Sequence, residues 1–226
     1  MTQFILQLDG QPSVHALGKI VCVGRNYAAH AAELNNPIPT EPLLFMKPAT
    51  AAADLHRPIV LPHGLGAVHH EVEIAVLIGS PLRHADQTTA RAAIAGVGVA
   101  LDLTLRDVQD RLKRDGQPWE RAKAFDGAYP LSEFIPIDSL DLQNLTLQLW
   151  RNGDLQQQGT TRDMLFSICE LLAEISRHFS LQPGDIVSTG TPAGVGPLRS
   201  GDVLIAVLRT PDEPERELLR VETRVQ

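Results

Sequence analysis

The chain has 226 residues, of which 43% are hydrophobic and 21% charged, and it carries a formal net charge of −7. That is enough apolar material for one sizeable core, although length alone permits one or two domains. The acidic balance, with no basic run, argues against nucleic acid and anionic membrane surfaces as partners.

Short strands dominate the pattern. They are expected around Phe4–Gln7, Ile20–Val23, Leu43–Met46, Val72–Ile78, Val97–Leu103, Leu145–Trp150, Ile186–Ser188, Val203–Leu208 and Leu218–Val225. Ala28 to Leu34 reads as a short Ala-rich helix ended by Asn35, Asn36 and Pro37. QTTARAAIAG suits a connecting helix, and another helix is expected after Thr104. Asn152-Gly153 is a tight hairpin signal. One longer helix, about Met164–His178, carries Leu165, Ile168, Leu172 and Ile175 on one face. Strands mixed with few helices predict an α+β fold, not a doubly wound α/β one. There is no repeat, low-complexity tract or linker.

Cys22 and Cys169 are too few for a disulfide framework, and Cys22, in the apolar run IVCVG, reads as a core filler. Residues 1–10 lack a basic start followed by an apolar block, and no apolar run approaches the roughly 18 residues of a membrane span. The expectation is a soluble, cytoplasmic protein.

The most informative stretch is HHEVEIAVLIG. Val72, Ile74, Val76 and Ile78 alternate as in a strand, so Glu71 and Glu73 share one face, roughly 6.5–7 Å apart. Two carboxylates beside an apolar run are costly unless compensated, and a hard divalent cation such as magnesium, calcium or manganese is the usual remedy. The alternative is a polar strand face in water.

Downstream, Asp102 lies between Leu101 and Leu103 in an apolar strand, where a carboxylate is rare unless paired or metal-bound. Glu-x-Glu with a distant Asp makes a three-carboxylate site suited to an octahedral cation that keeps water or substrate. Asp102 could instead cap the following helix, but Thr104, with Asp107 three residues on, is the better cap. That helix places Arg106, Gln109 and Asp110 on one face by spacing. Arg106 and Gln109 start about a turn beyond Asp102 and could reach a ligand on the metal, the planar guanidinium of Arg106 suiting a carboxylate. Asp110, Arg111, Lys113 and Arg114 read as a solvated face. Nothing local marks Lys123, in PWERAKAFDG, as more than a surface lysine.

His30 and Glu33 are three apart on the short Ala-rich helix, so Glu33 can accept a hydrogen bond from His30. Such a helix is too short to be stable alone, and it follows Gly24, which suits a segment that orders over substrate. A surface helix with an incidental pair is the other reading. HHEVE is not a zincin motif, because neither His69 nor His70 has a histidine four residues later. These two read as strand-end polar residues, with His70 able to orient a ligand. Gly96-Val97-Gly98 lacks the third glycine of a dinucleotide fingerprint, and TGTPAGVG has no Lys-Ser/Thr after it. The glycines of that loop let backbone approach a small ligand.

GRNYAAHAAE, LLFMKP, HHEVEIAVLIG, ALDLTLRDVQ, GQPWERAKAFDG and STGTPAGVGPL, in that order, resemble the fumarylacetoacetate hydrolase superfamily. The likeness is to its short single-domain branch of acylpyruvases and oxaloacetate decarboxylases, and it runs from about Lys19 to about Ala206. It implies a curved mixed β-sheet roll, one catalytic domain over 1–226 with a short N-terminal strand segment over about 1–18, and a homodimer. It implies Glu71, Glu73 and Asp102 as ligands of Mg2+ or Mn2+, with Ca2+ less suited. His30 and Glu33 would be a base dyad, with Lys123 stabilising charge, and Arg25, Arg106, Gln109 and Thr191 would contact substrate. Cys169 departs from the pattern, since relatives usually have proline after the isoleucine.

The implied activity is metal-dependent cleavage of the C–C bond of small acylpyruvates through a pyruvate enolate, with oxaloacetate decarboxylation at the same site. The substrate the resemblance implies is a small dicarboxylic or β-diketo acid. An isomerase or tautomerase of oxaloacetate or a hydroxymuconate-type acid is the alternative, and a non-catalytic metal-binding protein is a third.

Overall fold

The computed structural model describes residues 4–138, 140–213 and 215–226. Residues 1–3, which begin the expected N-terminal segment, lie outside the described residues. The chain opens with a hairpin of β1 (Gln7–Leu8) and β2 (Gln11–Pro12), turned by Asp9 and Gly10 at φ 51° and 70°. The expected strand over Phe4–Gln7 is therefore displaced, because the Asp9-Gly10 turn selects which residues pair.

β3 (Ile20–Gly24) leads to α1 (Ala28–Glu33), then β4 (Leu43–Lys47) and β5 (Ala52–Asp54). β6 (Val68–His70) and β7 (Val72–Ile78) are separated by Glu71 alone. After α2 (Gln87–Ala92) come β8 (Ile94–Leu101) and β9 (Thr104–Leu105), separated by Asp102 and Leu103. α3 (Arg106–Arg114), α4 (Glu120–Lys123) and β10 (Tyr129–Leu131) follow. β11 (Thr146–Arg151) and β12 (Asp154–Thr160) form the expected hairpin, with Asn152 and Gly153 at φ 55° and 89°. The chain ends with α5 (Ile168–His178), β13 (Ile186–Ser188), β14 (Gly196–Pro197), β15 (Val203–Arg209) and β16 (Glu217–Arg224).

A mixed seven-stranded sheet has the order β4-β3-β13-β7-β8-β10-β5, with β13 parallel to β3 and β10 parallel to β5. A four-stranded antiparallel sheet, β12-β11-β15-β16, and a small sheet, β14-β6-β9, accompany it. Few helices on a curved mixed sheet is the α+β architecture expected from the pattern.

β7 is buried on both faces, which argues against the alternative of a polar strand face in water. Its even-numbered residues Val72, Ile74, Val76 and Ile78 join one core, while Ala75 and Leu77 join a second with Ile20, Cys22 and Tyr129. Glu71 and Glu73 continue the Ala75 face.

Two helix starts differ from expectation. α5 begins at Ile168, not Met164, because Ser167 forms a capping box with Glu170 and sets the first turn. Thr104 is not the cap of α3. It lies in β9 and donates its hydroxyl to the Asp102 carbonyl at 3.0 Å, while α3 starts after Leu105 with no side-chain cap.

Candidate active site

The register of the central ladder positions the carboxylates. β7 pairs with β8 so that Glu73 faces Ala100 and Val72 faces Leu101. β6 pairs with β9 so that Val68 faces Leu105 and His69 faces Thr104. One register therefore runs through both pairs, and in the gap between them Glu71 meets Asp102, whose N–H donates to the Glu71 carbonyl at 2.8 Å. Opposed residues of an antiparallel pair share a face, as do residues two apart on one strand. Glu71, Glu73 and Asp102 converge for that reason, each offering an oxygen within 4.8 Å of the others. All three are buried. Asp102 lies just past the end of β8, not inside the strand as expected.

Three buried cations surround them. Lys123 Nζ donates to Glu71 Oε2 at 2.8 Å and to Asp102 Oδ2 at 2.5 Å. Arg106 donates to Glu71 Oε1 and, at 2.8 Å, to Gln109 Oε1. Lys47 Nζ lies 2.8 Å from Asp102 Oδ1 and donates to the Ala128 carbonyl at 3.0 Å and to the Lys123 carbonyl. Lys123 is only 2% exposed, which corrects its reading as a surface lysine. Its ammonium also sits 5.1 Å from the centre of the Phe45 ring.

Lys47 went unnoticed in the sequence. Its signal was available, since LLFMK is an apolar strand ending in a lysine with no carboxylate nearby in sequence. Arg106 and Gln109 are buried as expected of ligand contacts, but Asp110 is exposed and leaves their face.

Charge is unevenly compensated across the triad. Burial would raise the Glu71 carboxyl, yet Lys123 and Arg106 outweigh it and hold Glu71 well below the usual carboxylate range. Glu73 is pushed up to about 8, by burial first and then by Asp102 and Glu71. Burial would lower Lys123, but Asp102 and Glu71 hold it well above an ordinary lysine. Glu73 Oε2 accepts from the Ser188 hydroxyl at 2.5 Å and from Gly190 N–H at 2.9 Å, so Oε1 takes neither bond. An all-oxygen set with a carboxylate this short of positive charge fits a hard divalent cation.

His30, 5% exposed, lines the same pocket as the triad. Its Nδ1 lies 3.1 Å from Glu33 Oε2, while Glu33 Oε1 accepts from Gly194 N–H at 3.0 Å. With a carboxylate accepting at Nδ1, Nε2 carries the basic lone pair. Arg25 also lines the pocket, in a left-handed backbone conformation at φ 60° that is uncommon for a residue with a Cβ.

Thr191 reaches the pocket wall, with its hydroxyl donating to the Val72 carbonyl at 2.8 Å and accepting from Gln157 at 2.8 Å. Asn26 joins the segment before α1 to the glycine loop, donating to the carbonyls of Thr189 at 2.9 Å and Phe166 at 3.0 Å. His70 is fully buried and bonds Gln157 at 2.9 Å, so it supports the Thr191 wall and contacts none of the three carboxylates. Every site residue expected from the sequence thus lines one pocket, apart from Glu33, which bonds to His30.

The chain belongs to the fumarylacetoacetate (FAA) hydrolase C-terminal family, whose model matches residues 19–225. It is 57% identical over 192 residues to the oxaloacetate tautomerase YcgM of Escherichia coli, an alignment covering 84% of this chain and 88% of that one. It is 43% identical over 188 residues to the human mitochondrial oxaloacetate tautomerase FAHD1, covering 83% and 85% respectively. A crystal structure from Oleispira antarctica matches with a TM-score of 0.95 at 54% identity, covering 98% of this chain and 99% of that one. The fumarylpyruvate hydrolase of Pseudomonas aeruginosa, solved with Mn2+ and pyruvate, matches with a TM-score of 0.89 at 31% identity, covering 99% and 95%. Among the described residues no helix is long and apolar enough to cross a membrane.

Proposed function

We propose that this chain is a divalent-metal-dependent oxaloacetate tautomerase, interconverting the keto and enol forms of the acid. This shifts the weight from the acylpyruvate hydrolysis first implied by the family resemblance to its alternative. The observation that carries the reading is the carboxylate triad sharing one pocket with an imidazole oriented by a carboxylate. The high identity to the E. coli tautomerase supports it.

Glu71, Glu73 and Asp102 would hold the cation, which when bound supplies Lewis-acid polarisation of the keto acid. The chain's own residues account for the proton movement. His30 Nε2 takes a proton from C3, and the C3–H electron pair becomes the C2=C3 bond. Lys123, which keeps its proton, steadies the negative charge gathering on the C2 oxygen by hydrogen bonding. That oxygen takes a proton from solvent, and His30 releases the C3 proton to solvent, so the net change is one proton lost from C3 and one gained on oxygen. Arg106 and Gln109, already bonded to each other, orient the substrate carboxylate beside C2. The reaction needs no attacking water and no leaving group.

Acylpyruvate hydrolysis is the second reading, favoured by the likeness to a fumarylpyruvate hydrolase that holds pyruvate. There His30 would deprotonate water instead of carbon. The deciding experiment follows the ultraviolet absorbance of enol-oxaloacetate after mixing the protein with Mg2+ or Mn2+, in parallel with an acylpyruvate panel. Ketonisation well above the metal-only rate, with the acylpyruvates intact, is expected. Cleavage of an acylpyruvate with no effect on oxaloacetate would overturn the tautomerase assignment.

A further inference from the structure

Two cations line the pocket without taking part in the triad, and they have no anionic partner within ion-pair distance among the described residues. They are Arg25 and Lys113. Lys113 lies on α3 one turn, about 6 Å, beyond Gln109 and on the same helix face as Arg106 and Gln109. Its neighbours Arg111 and Arg114 are exposed, whereas Lys113 is half-buried. The solvated-face reading made from the sequence is therefore correct for those neighbours and wrong for Lys113.

An aromatic wall sets the position of this ammonium. Lys113 Nζ sits 5.4 Å from the centre of the Trp119 ring, Trp119 packs on Phe45 with ring centres 5.7 Å apart, and Phe45 carries Lys123 on its ring. The two rings thus separate a lysine committed to the carboxylates from one that is free. A pocket with a metal-binding end and a second, unpaired cationic end suits a ligand bearing two separate anionic groups. Asp110 is the nearest acidic residue along α3, but it is exposed and forms no ion pair with Lys113.

We propose that Lys113, assisted by Arg25, binds the second carboxylate of a dicarboxylic 2-keto acid and so makes the pocket selective for dicarboxylates over keto acids with a neutral tail. This inference deepens the tautomerase reading and rests on it for the identity of the reaction. It names a specificity residue, since Lys113 would hold the C4 carboxylate and take no part in the proton transfer at C3 or the charge on the C2 oxygen.

The test compares oxaloacetate with its 4-methyl ester in the wild type, Lys113→Met and Lys113→Arg, all with saturating Mg2+. Methionine keeps an unbranched apolar stem to pack on Trp119 and removes the ammonium with its charge and donors. The ratio of kcat/KM for oxaloacetate over the ester should fall about tenfold or more in Lys113→Met, the scale of one charge-assisted hydrogen bond. The loss should fall on KM, and Lys113→Arg should restore most of the ratio. An unchanged ratio in Lys113→Met overturns the proposal and leaves Lys113 as packing for Trp119.

Failure of the tautomerase reading is separable. If the wild type turns over neither compound, calorimetric binding of oxaloacetate and of pyruvate to the Mg2+-loaded protein still reads the selectivity. A wild-type preference for the dicarboxylate that Lys113→Met abolishes sustains the proposal, and equal binding of the two acids by the wild type overturns it.

Discussion

The N–H of Asp102 donates to the carbonyl of Glu71 at 2.8 Å, and that bond carries the register of β7 and β8 into β6 and β9 without a slip. The site exists because two paired strands are interrupted at the same level. Had the ladder shifted by one residue there, Asp102 would point to the opposite core from Glu71 and Glu73. Main-chain pairing fixes the geometry of the three carboxylates, and the surrounding lysines and arginine tune their charge.

Two of the three carboxylates, Asp102 and Glu73, should separate by their effect on the metal-free protein. Asp102→Asn weakens the pairing of two buried ammonium groups, Lys47 and Lys123, and should cost roughly 3–5 kcal/mol. Glu73→Gln removes a carboxyl already pushed up to about 8 and should change metal-free stability by only about 1 kcal/mol. Both should lose tight Mn2+ binding. Chemical denaturation with chelator, paired with Mn2+ titration, checks the split; equal destabilisation by the two variants would contradict it.

His30→Ala should lower oxaloacetate ketonisation by about 10²–10⁴-fold, the usual contribution of a positioned base. Mn2+ affinity should hardly move, since His30 bonds Glu33 and none of the triad. Glu33→Gln should act in the same direction but more mildly. Steady-state kinetics at saturating metal, with calorimetric metal titrations on the same preparations, provide the comparison.

The second cationic end should show itself in the pH profile. Burial, then Arg106 on the same helix and Arg25, lower Lys113 to about 8, while Asp110 and Glu71 oppose the shift. Below that pH the ammonium is present in the free protein, and above it the group is neutral. KM for oxaloacetate should therefore rise as pH climbs through about 8, with kcat flatter because a bound carboxylate holds the proton on Lys113. In Lys113→Arg this limb should vanish, because guanidinium stays charged. A limb that persists in the arginine variant belongs to another group.

Gly190→Ala should damage the metal site from a distance. Gly190 has φ +96°, and an added Cβ would come 2.7 Å from Asn26 Cβ. The strain, of order 1–3 kcal/mol, would move the N–H that bonds Glu73 Oε2. Weaker Mn2+ binding with the triad intact is the expected result of titrating this variant.

Much of this was legible in the residues. Strand alternation placed Glu71 beside Glu73, an acidic residue between leucines marked Asp102, and Asn152-Gly153 announced its hairpin. The local signals failed where tertiary convergence decides the environment. Lys47, Lys113 and Lys123 have no sequence neighbour that reveals burial; they become site residues because β4, α3 and α4 are folded onto one aromatic wall. Thr104 looked like a helix cap because its spacing to Asp107 was right, yet the β6 edge claimed its backbone first. The Ser167 capping box is spelled in SICE, whereas the apolar period alone, reaching back to Leu165, starts the helix too early.

Glu33 spends one carboxylate oxygen on the His30 ring and the other on the Gly194 N–H. Those two bonds are satisfied together only when α1 rests against the glycine loop, whose Thr191 forms part of the pocket wall. In the proposed reaction the imidazole would thus act as a coincidence detector, its ring oriented by the same carboxylate that seats α1 on the glycine loop. A helix of six residues with little stability of its own would in this way tie the orientation of the proposed base to its own packing on that loop.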